Sequence, residues 1–145
     1  MIRTVNNNDL DLIVKLEEDN LESGSLGYAF LAQELNENPF STMLILEENQ
    51  QVIGYISYRV VDQTAEILNL VIDKPYHRQG YGYQLLTYVM DQLKEKAVKT
   101  LILEVRASNM NAQYLYYKCG FKRILSRPNY YQNEDGYVFL WENKQ

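Results

Sequence analysis

Two side chains in this sequence, Glu104 and Tyr116, are of types that suit proton transfer. Glu104 is the only charged residue in the run T-L-I-L-E-V, and Tyr116 follows in the next predicted helix. A carboxylate at the end of a parallel strand lies where open α/β sheets bind ligands, and it can act as a general base. A phenol can protonate a leaving thiolate, since their pKa values are about 10 and 8.5. The simpler alternatives are that Glu104 is a solvent-facing residue of an alternating strand and that Tyr116 packs in the core.

A pair of glycines, Gly80 and Gly82, stands where a predicted strand gives way to a predicted helix. The first N–H groups of a helix lack intrahelical partners and carry partial positive charge, and glycine lets an anion approach the backbone closely. The segment therefore predicts an anion site, with a simple tight turn as the alternative. It is not a Walker loop, because no Lys-Ser/Thr pair follows. It is not a dinucleotide fingerprint either, because the third glycine is missing.

Hydrophobic periodicity indicates the elements that must position these residues. Predicted strands cover residues 2–5, 43–47, 52–61, 64–73, 100–105, 121–125 and 137–141. Predicted helices follow residues 7–9, cover 28–36 and 80–97, and follow Asn109, which is expected to cap the last one. Residues 126–136 are predicted to be a polar loop. The sum is an α/β (α+β) fold in a single domain over residues 1–145. It has a mixed sheet of about seven strands, an antiparallel N-terminal meander, a parallel strand–helix–strand unit and about four helices.

Composition narrows the classes of function. The 145 residues carry a net charge of −5, with a pI near 4.9, which argues against nucleic acid as a partner. One cysteine (Cys119) and one histidine (His77) make a metal centre improbable. We expect neither a signal peptide nor a membrane-spanning segment, and hence a cytoplasmic protein.

Three motifs taken together resemble the GNAT-type N-acetyltransferases, which bind acetyl-CoA. They are H-R-Q-G-Y-G at residues 77–82, L-E-V-R-A-S-N at 103–109 and L-Y-Y-K-C-G-F at 115–121. Adding R-x-N-Y-Y-x-x-x-D-G at 127–136 makes the chain look like the ribosomal-protein-alanine N-acetyltransferases within that superfamily. Those enzymes acetylate the N-terminal alanine of a small-subunit ribosomal protein. The resemblance implies the GNAT fold.

The resemblance also implies a role for each matching residue. Glu104 corresponds to the general base that takes a proton from the attacking ammonium, and Tyr116 to the general acid that protonates the departing CoA thiolate. Direct transfer from acetyl-CoA, the co-substrate, is implied, with no covalent enzyme intermediate and no metal. Contacts with acetyl-CoA are implied for Leu70, Val71, Ile72, Arg78, Gln79, Gly80, Tyr81, Gly82, Tyr83 and Asn109.

The acceptor is less well marked by the sequence than the donor. Segment Ser23–Tyr28 lacks the Pro-Trp common in the ribosomal-alanine enzymes, His77 replaces Gln or Arg, and Lys74-Pro75 replaces Asp-Pro. A protein N-terminus is the favoured acceptor. A small amine, such as a polyamine or an aminoglycoside-like compound, is the alternative, with an acidic pocket from residues 17–22. A non-catalytic acyl-CoA-binding module is the third hypothesis. Either a monomer or a homodimer joined through an edge strand is compatible with the sequence.

Overall fold

The computed structural model describes residues 1–144, and within them it contains the predicted seven-stranded mixed sheet and four α-helices. The strands are β1 (Ile2–Thr4), β2 (Ser41–Glu48), β3 (Gln51–Val61), β4 (Thr64–Ile72), β5 (Thr100–Arg106), β6 (Lys122–Tyr131) and β7 (Glu134–Glu142). The helices are α1 (Leu10–Asn20), α2 (Tyr28–Glu37), α3 (Tyr81–Glu95) and α4 (Met110–Lys118). Short 3₁₀ helices cover Asn7–Asp9 and Lys74–Tyr76.

The strands follow the order β1-β2-β3-β4-β5-β7-β6 across the sheet. β1 pairs with β2, and β2 with β3, in antiparallel ladders. β4 and β5 are parallel, with register pairs that join Thr64–Glu66 to Thr100–Ile102. β7 lies between β5 and β6 and is antiparallel to both. The predicted mixed sheet is confirmed, and helix α3 is the crossover between its parallel strands, as such a connection requires.

One predicted element is wrong. Residues 126–136, read as a polar loop, form most of a β-hairpin in which β6 runs to Tyr131 and β7 begins at Glu134. β6 is exposed along almost its whole length, so its residues carry no alternating apolar pattern. Its pairing with β7, rather than local propensity, makes it a strand.

The described chain forms two compact units. The first comprises Met1–Arg59 and Leu68–Leu86 and so contains β1, β2, α1 and α2. Helix α1 contributes Leu10, Ile13 and Leu16 to its interior at helical spacing. The apolar core of this unit consists of Val5, Leu10, Ile13, Leu16, Leu31, Met43, Ile45, Tyr55 and Val71.

The second unit comprises Val60–Ile67 and the residues from Thr87 onward, and so contains β5, β6, β7, α4 and most of α3. β5 pairs with β7 along its full length, from Thr100–Glu142 to Arg106–Gly136. Buried apolar side chains of this unit include Leu101, Leu103, Val105, Phe121, Val138, Phe139 and Trp141.

Gly54 of β3 lies directly against β4. A β-carbon built on Gly54 would lie 2.4 Å from Val71 O and 2.6 Å from Ile72 Cδ1. Because Val71 O is a backbone atom in a buried part of the first unit, it has little room to move. A glycine inside a strand is typical of a bulge or of a close neighbour. Both occur here, since the register between β2 and β3 also shifts beside Gly54, between Leu46 and Glu47. Gly54 therefore permits the close approach of β3 to the last residues of β4.

Replacing Gly54 with alanine is expected to lower the free energy of unfolding by about 1–3 kcal/mol, the usual cost of overpacking a well-packed interior. Urea unfolding followed by circular dichroism measures the change. Gly54→Ser should cost at least as much as Gly54→Ala, because it adds a further heavy atom at the same place. An unchanged unfolding midpoint for Gly54→Ala would show that the two strands are not held together at this distance.

Candidate functional site

The segment between β4 and α3 forms the candidate anion site. Arg78 and Gly80 have φ angles of 64° and 84°, a region of backbone conformation that favours glycine. The chain turns there, and Gly80 O accepts the first hydrogen bond of α3, from Gln84 N at 3.0 Å. A β-carbon built on Gly80 would meet no atom of the described chain within 4 Å. Open space thus adjoins the start of a fifteen-residue helix, where backbone N–H groups attract anions.

Two tyrosines hold this turn in place. The Tyr81 hydroxyl donates to Glu48 Oε2 at 3.0 Å, and the Tyr76 hydroxyl donates to Gln51 Oε1 at 2.6 Å. The two tyrosine rings meet edge to face, with centroids 6.2 Å apart. The hydrogen bond to Glu48 raises the pKa of Tyr81. Both phenols are thus directed toward the β2–β3 turn, so a ligand at the start of α3 would meet the Tyr81 backbone.

The end of β4, Leu70–Ile72, is the predicted strand for the acetyl arm. Val71 is buried, and its two neighbours are half-buried. These residues lie farther along β4 than the pairs formed with β5. His77 Nε2–H donates to Ile72 O at 2.5 Å, because a carbonyl oxygen can only accept. His77 therefore ties the turn back to the strand.

Glu104 lies on β5 and faces its less buried side, with 30% of its side chain exposed. Two groups from β6 contact it. Arg127 Nη2 lies 3.7 Å from Glu104 Oε1. The Tyr130 hydroxyl lies close to the carboxylate, which raises the pKa of Tyr130. The prediction that Glu104 faces solvent is therefore correct. The carboxylate is nevertheless not an isolated surface charge, because Arg127 and Tyr130 lie beside it.

Stacked aromatic and guanidinium groups surround Glu104 on the hairpin. The Arg127 guanidinium lies 5.4 Å from the centre of the Tyr130 ring, and that of Arg106 lies 4.3 Å from the Tyr131 ring. The two rings meet edge to face at 5.1 Å. A β-carbon on Gly136 would lie 3.1 Å from both rings, so glycine there lets them pack on β7. These neighbours of Glu104 were missed from the sequence because their segment was assigned to a loop.

Tyr116 of α4 is buried, with 7% of its surface exposed. Its ring centroid lies 5.8 Å from that of Phe121 and 5.7 Å from that of Phe139. Burial raises the pKa of Tyr116, and the nearby phenol of Tyr131 adds a smaller contribution. The hydroxyl therefore keeps its proton at neutral pH. Packing thus fixes the ring, and its proton stays available for donation.

Asn109 caps α4, as predicted, because its Oδ1 accepts from Ala112 N at 3.1 Å. Because Oδ1 is used by the cap, the amide NH₂ group of Asn109 is the part of this side chain that could bind a ligand. A second amide was missed from the sequence. Gln113 is buried, and its Nε2 donates to Arg106 O at 3.2 Å and to Ala107 O at 2.9 Å. These bonds join the first turn of α4 to the end of β5, which carries Glu104.

The predicted residues fall into two sets. Leu70–Ile72 and Arg78–Tyr83 lie in the first unit, and Glu104, Asn109 and Tyr116 lie in the second. Within residues 1–144, no three His, Cys, Asp or Glu side chains are grouped so that they could hold a metal ion. None of the described helices is long and apolar enough to cross a membrane.

Comparison with known proteins gives consistent matches. The Acetyltransferase (GNAT) family matches residues 10–121. A protein of Bacillus subtilis strain 168, provisionally named a [ribosomal protein bS18]-alanine N-acetyltransferase, is 33% identical over 141 residues. That alignment covers 97% of this chain and 93% of the relative.

Two further matches come from Escherichia coli. The [ribosomal protein bS18]-alanine N-acetyltransferase of strain K12 is 41% identical over 91 residues, which span 63% of this chain and 62% of that protein. The crystal structure of the ribosomal-protein-S18-alanine N-acetyltransferase superposes with a TM-score of 0.90 at 29% identity. It covers 98% of this chain and 92% of that chain.

Proposed function

This chain belongs to the GNAT acetyltransferase family, and on that premise we propose that it acetylates the N-terminal alanine of a small-subunit ribosomal protein. Acetyl-CoA is the donor, and the reaction takes place in the cytoplasm. The observation that carries the proposal is the 33% identity to the B. subtilis relative over 97% of this chain. The family match, residues 10–121, draws on both compact units and supports one acetyltransferase domain over residues 1–145.

The donor end of the site is proposed to lie in the first unit. The backbone N–H groups of Arg78–Tyr83 would receive the pyrophosphate, since Gly80 leaves open space at the start of α3. The backbone of Leu70–Ile72 would hold the acetyl carbonyl and the pantetheine arm. Asn109 caps α4 with its Oδ1, and its amide NH₂ group would add one polar contact to CoA. The thioester supplies an activated acetyl group, and these residues orient it.

Glu104 and Tyr116 are proposed to move the two protons of the reaction. The α-amino nitrogen attacks the acetyl carbonyl carbon, a C–N bond forms, and the C–S bond breaks. Glu104 accepts the proton lost by the amine, directly or through water, and Tyr116 gives its proton to the sulfur. An α-amino group has a pKa of about 7.7–8.0, so part of it is already neutral at cellular pH and only a modest base is needed. A phenol is protonated at cellular pH, so Tyr116 carries the proton that the departing thiolate needs.

The small-amine alternative is weakened by one carboxylate. An acidic pocket from residues 17–22 requires side chains that can face an amine, but Glu17 is fully buried and its carboxylate accepts hydrogen bonds from four groups of the protein. Glu18 and Asp19 are exposed on the surface of α1. Glu22, in the loop after α1, is exposed as well. The acidic run thus contains three exposed carboxylates and one, Glu17, that is structural.

A CoA-release assay with a panel of acceptors tests the proposed function. We expect turnover with a peptide that carries the Ala N-terminus of protein bS18, and none with the same peptide acetylated at its N-terminus. Mass spectrometry of the product should place one acetyl group on the α-amine and none on lysine side chains. Turnover of spermidine without turnover of the peptide would favour the small-amine enzyme. Acetyl-CoA binding without turnover of any acceptor would favour the binding module.

A further inference from the structure

Glu17, in the last two turns of α1, is fully buried and bonded on both oxygens. Its Oε1 accepts from Ser25 Oγ at 2.8 Å and from Leu26 N at 3.1 Å. Its Oε2 accepts from Asn69 Nδ2 at 2.7 Å and from the Tyr55 hydroxyl. Burial, together with the carboxylate, raises the pKa of Tyr55. One side chain thus joins the loop after α1 to strands β3 and β4.

A carboxylate is a costly group to bury, and it is stabilised here by neutral donors. Transfer of such a group out of water is strongly unfavourable unless hydrogen bonds replace its hydration. An apolar side chain of similar size would fill the same place at the helix–sheet interface at a lower cost in desolvation. What an apolar side chain could not do is hold Ser25 and Leu26. The hydrogen bonds of Glu17 therefore order the α1–α2 loop and tie it to strands β3 and β4.

The loop, residues 21–27, depends on this carboxylate for its shape. Gly24 and Gly27 have φ angles of 77° and 96°, so the backbone turns twice without regular structure. Ser25 Oγ, itself bonded to Glu17, accepts from Gly27 N at 2.9 Å and so fixes the entrance to α2. The loop thus directs two donors from adjacent residues at Glu17, the Ser25 hydroxyl and the Leu26 N–H.

The same carboxylate also holds the residue next to the proposed acetyl-binding strand. Asn69 directly precedes Leu70–Ile72. On the other side of this strand segment, Asn20 Nδ2 donates to Asp73 Oδ1 at 3.0 Å, and Lys74 N donates to Asn20 Oδ1 at 3.1 Å. Two side chains of α1 therefore bracket the segment, and only Glu17 also holds the loop.

We propose that Glu17 is a positioning residue that fixes the α1–α2 loop relative to Leu70–Ile72 and thereby controls how the acceptor amine binds beside the acetyl group. This inference rests on the proposed function, because it takes Leu70–Ile72 as the acetyl-binding strand. Glu17 itself touches neither substrate. Catalysis by orientation is sensitive to such supports, since a displacement of about 1 Å can cost about 10²-fold in rate.

Glu17→Gln tests the inference with little change in size. The amide NH₂ group of glutamine would face either the two donors of the loop, Ser25 and Leu26, or the two donors of the strands, Tyr55 and Asn69. Two donors would then face each other, so half of the network would be lost. We expect the KM for the acceptor peptide to rise by about tenfold and the KM for acetyl-CoA to change by less than about twofold. Amide hydrogen exchange in residues 21–27 of the free protein should also become faster. Glu37→Gln, at an exposed position near the end of α2, is the matched control and should match the wild type in all three measurements.

Ser25→Ala provides a second variant in case Glu17→Gln fails to fold. It removes one donor from the loop and leaves Tyr55 and Asn69 in place, so the same changes should appear in smaller size. Unchanged exchange in residues 21–27, or equal increases in both KM values, would overturn the inference, since equal increases indicate a general structural effect. Absence of turnover by the wild-type protein would instead overturn the proposed function, and it is recognised without any variant.

Discussion

Replacing Glu104 with glutamine is expected to lower kcat by about 10²-fold or more, the usual contribution of a positioned general base. Glutamine keeps the size of the side chain and can still accept from Tyr130, but it cannot take a proton from the attacking amine. Steady-state CoA release with saturating peptide measures the loss. Part of the rate should return at higher pH, because above pH about 8 most of an α-amino group is already deprotonated.

Glu66→Gln is the matched control for this change. Glu66 is an exposed carboxylate on β4, paired in register with Ile102, two residues before Glu104 on the neighbouring strand. Its loss should leave kcat within about twofold of the wild type, because Glu66 takes no proton in the proposed reaction and charges exposed to water interact only weakly. The Arg127–Glu104 pair is exposed, and such pairs contribute about 0–1 kcal/mol to stability, so a fall in turnover cannot be ascribed to unfolding. Equal kcat values for Glu104→Gln and the wild type would exclude Glu104 as the base.

Replacing Tyr116 with phenylalanine is expected to lower kcat by about 10²-fold while leaving the fold intact. Phenylalanine keeps the ring that packs against Phe121 and Phe139 and removes only the proton that would go to the departing thiolate. Rapid-quench measurement of the acetyl-transfer step, with acetyl-CoA affinity measured separately, distinguishes a chemical defect from a binding defect. A tenfold weaker affinity for acetyl-CoA with an unchanged transfer rate would contradict the assigned role.

The pH dependence of stability provides an independent check on Tyr116. Burial raises its pKa above the ordinary value of 10.0, so the folded state holds the proton more tightly than the unfolded chain. The stabilisation is complete below pH 10 and is lost as the pH rises above that value, because the unfolded chain then releases the proton first. Tyr116→Phe should lose less stability between pH 9 and 11 than the wild type, as measured by urea unfolding at each pH.

Local patterns in the sequence were sufficient to predict the structure of the segment that joins β4 to α3. The strand that ends near Ile72, the turn at Gly80 and the helix that follows were predicted because apolar periodicity and glycine conformational freedom act within a few residues. The Asn109 cap was predicted for the same reason, since a cap bonds to a residue three positions along the chain. These features depend on neighbours in sequence and so can be read from it.

Features that depend on distant residues were not accessible in this way. Arg127 and Tyr130 meet Glu104 only because β6 pairs with β7 and β7 with β5, and β6 has no apolar alternation to reveal it. Glu17 was read as part of an acidic run that could line a pocket for a small amine, although it follows Leu10 by seven residues and Ile13 by four and so lies on the apolar stripe of α1. That spacing was the available signal that Glu17 is buried.

Strand β6 has a further consequence for how the enzyme behaves in a crowded cell. It ends the sheet, and an outer strand is a template on which another polypeptide can add, which leads at high concentration to insoluble aggregates. β6 carries Lys122, Arg123 and Arg127, a proline at position 128 that has no N–H to offer, and irregular register with β7. The residues of β6 that lie around Glu104 thus also protect this open edge of the sheet against pairing with another polypeptide.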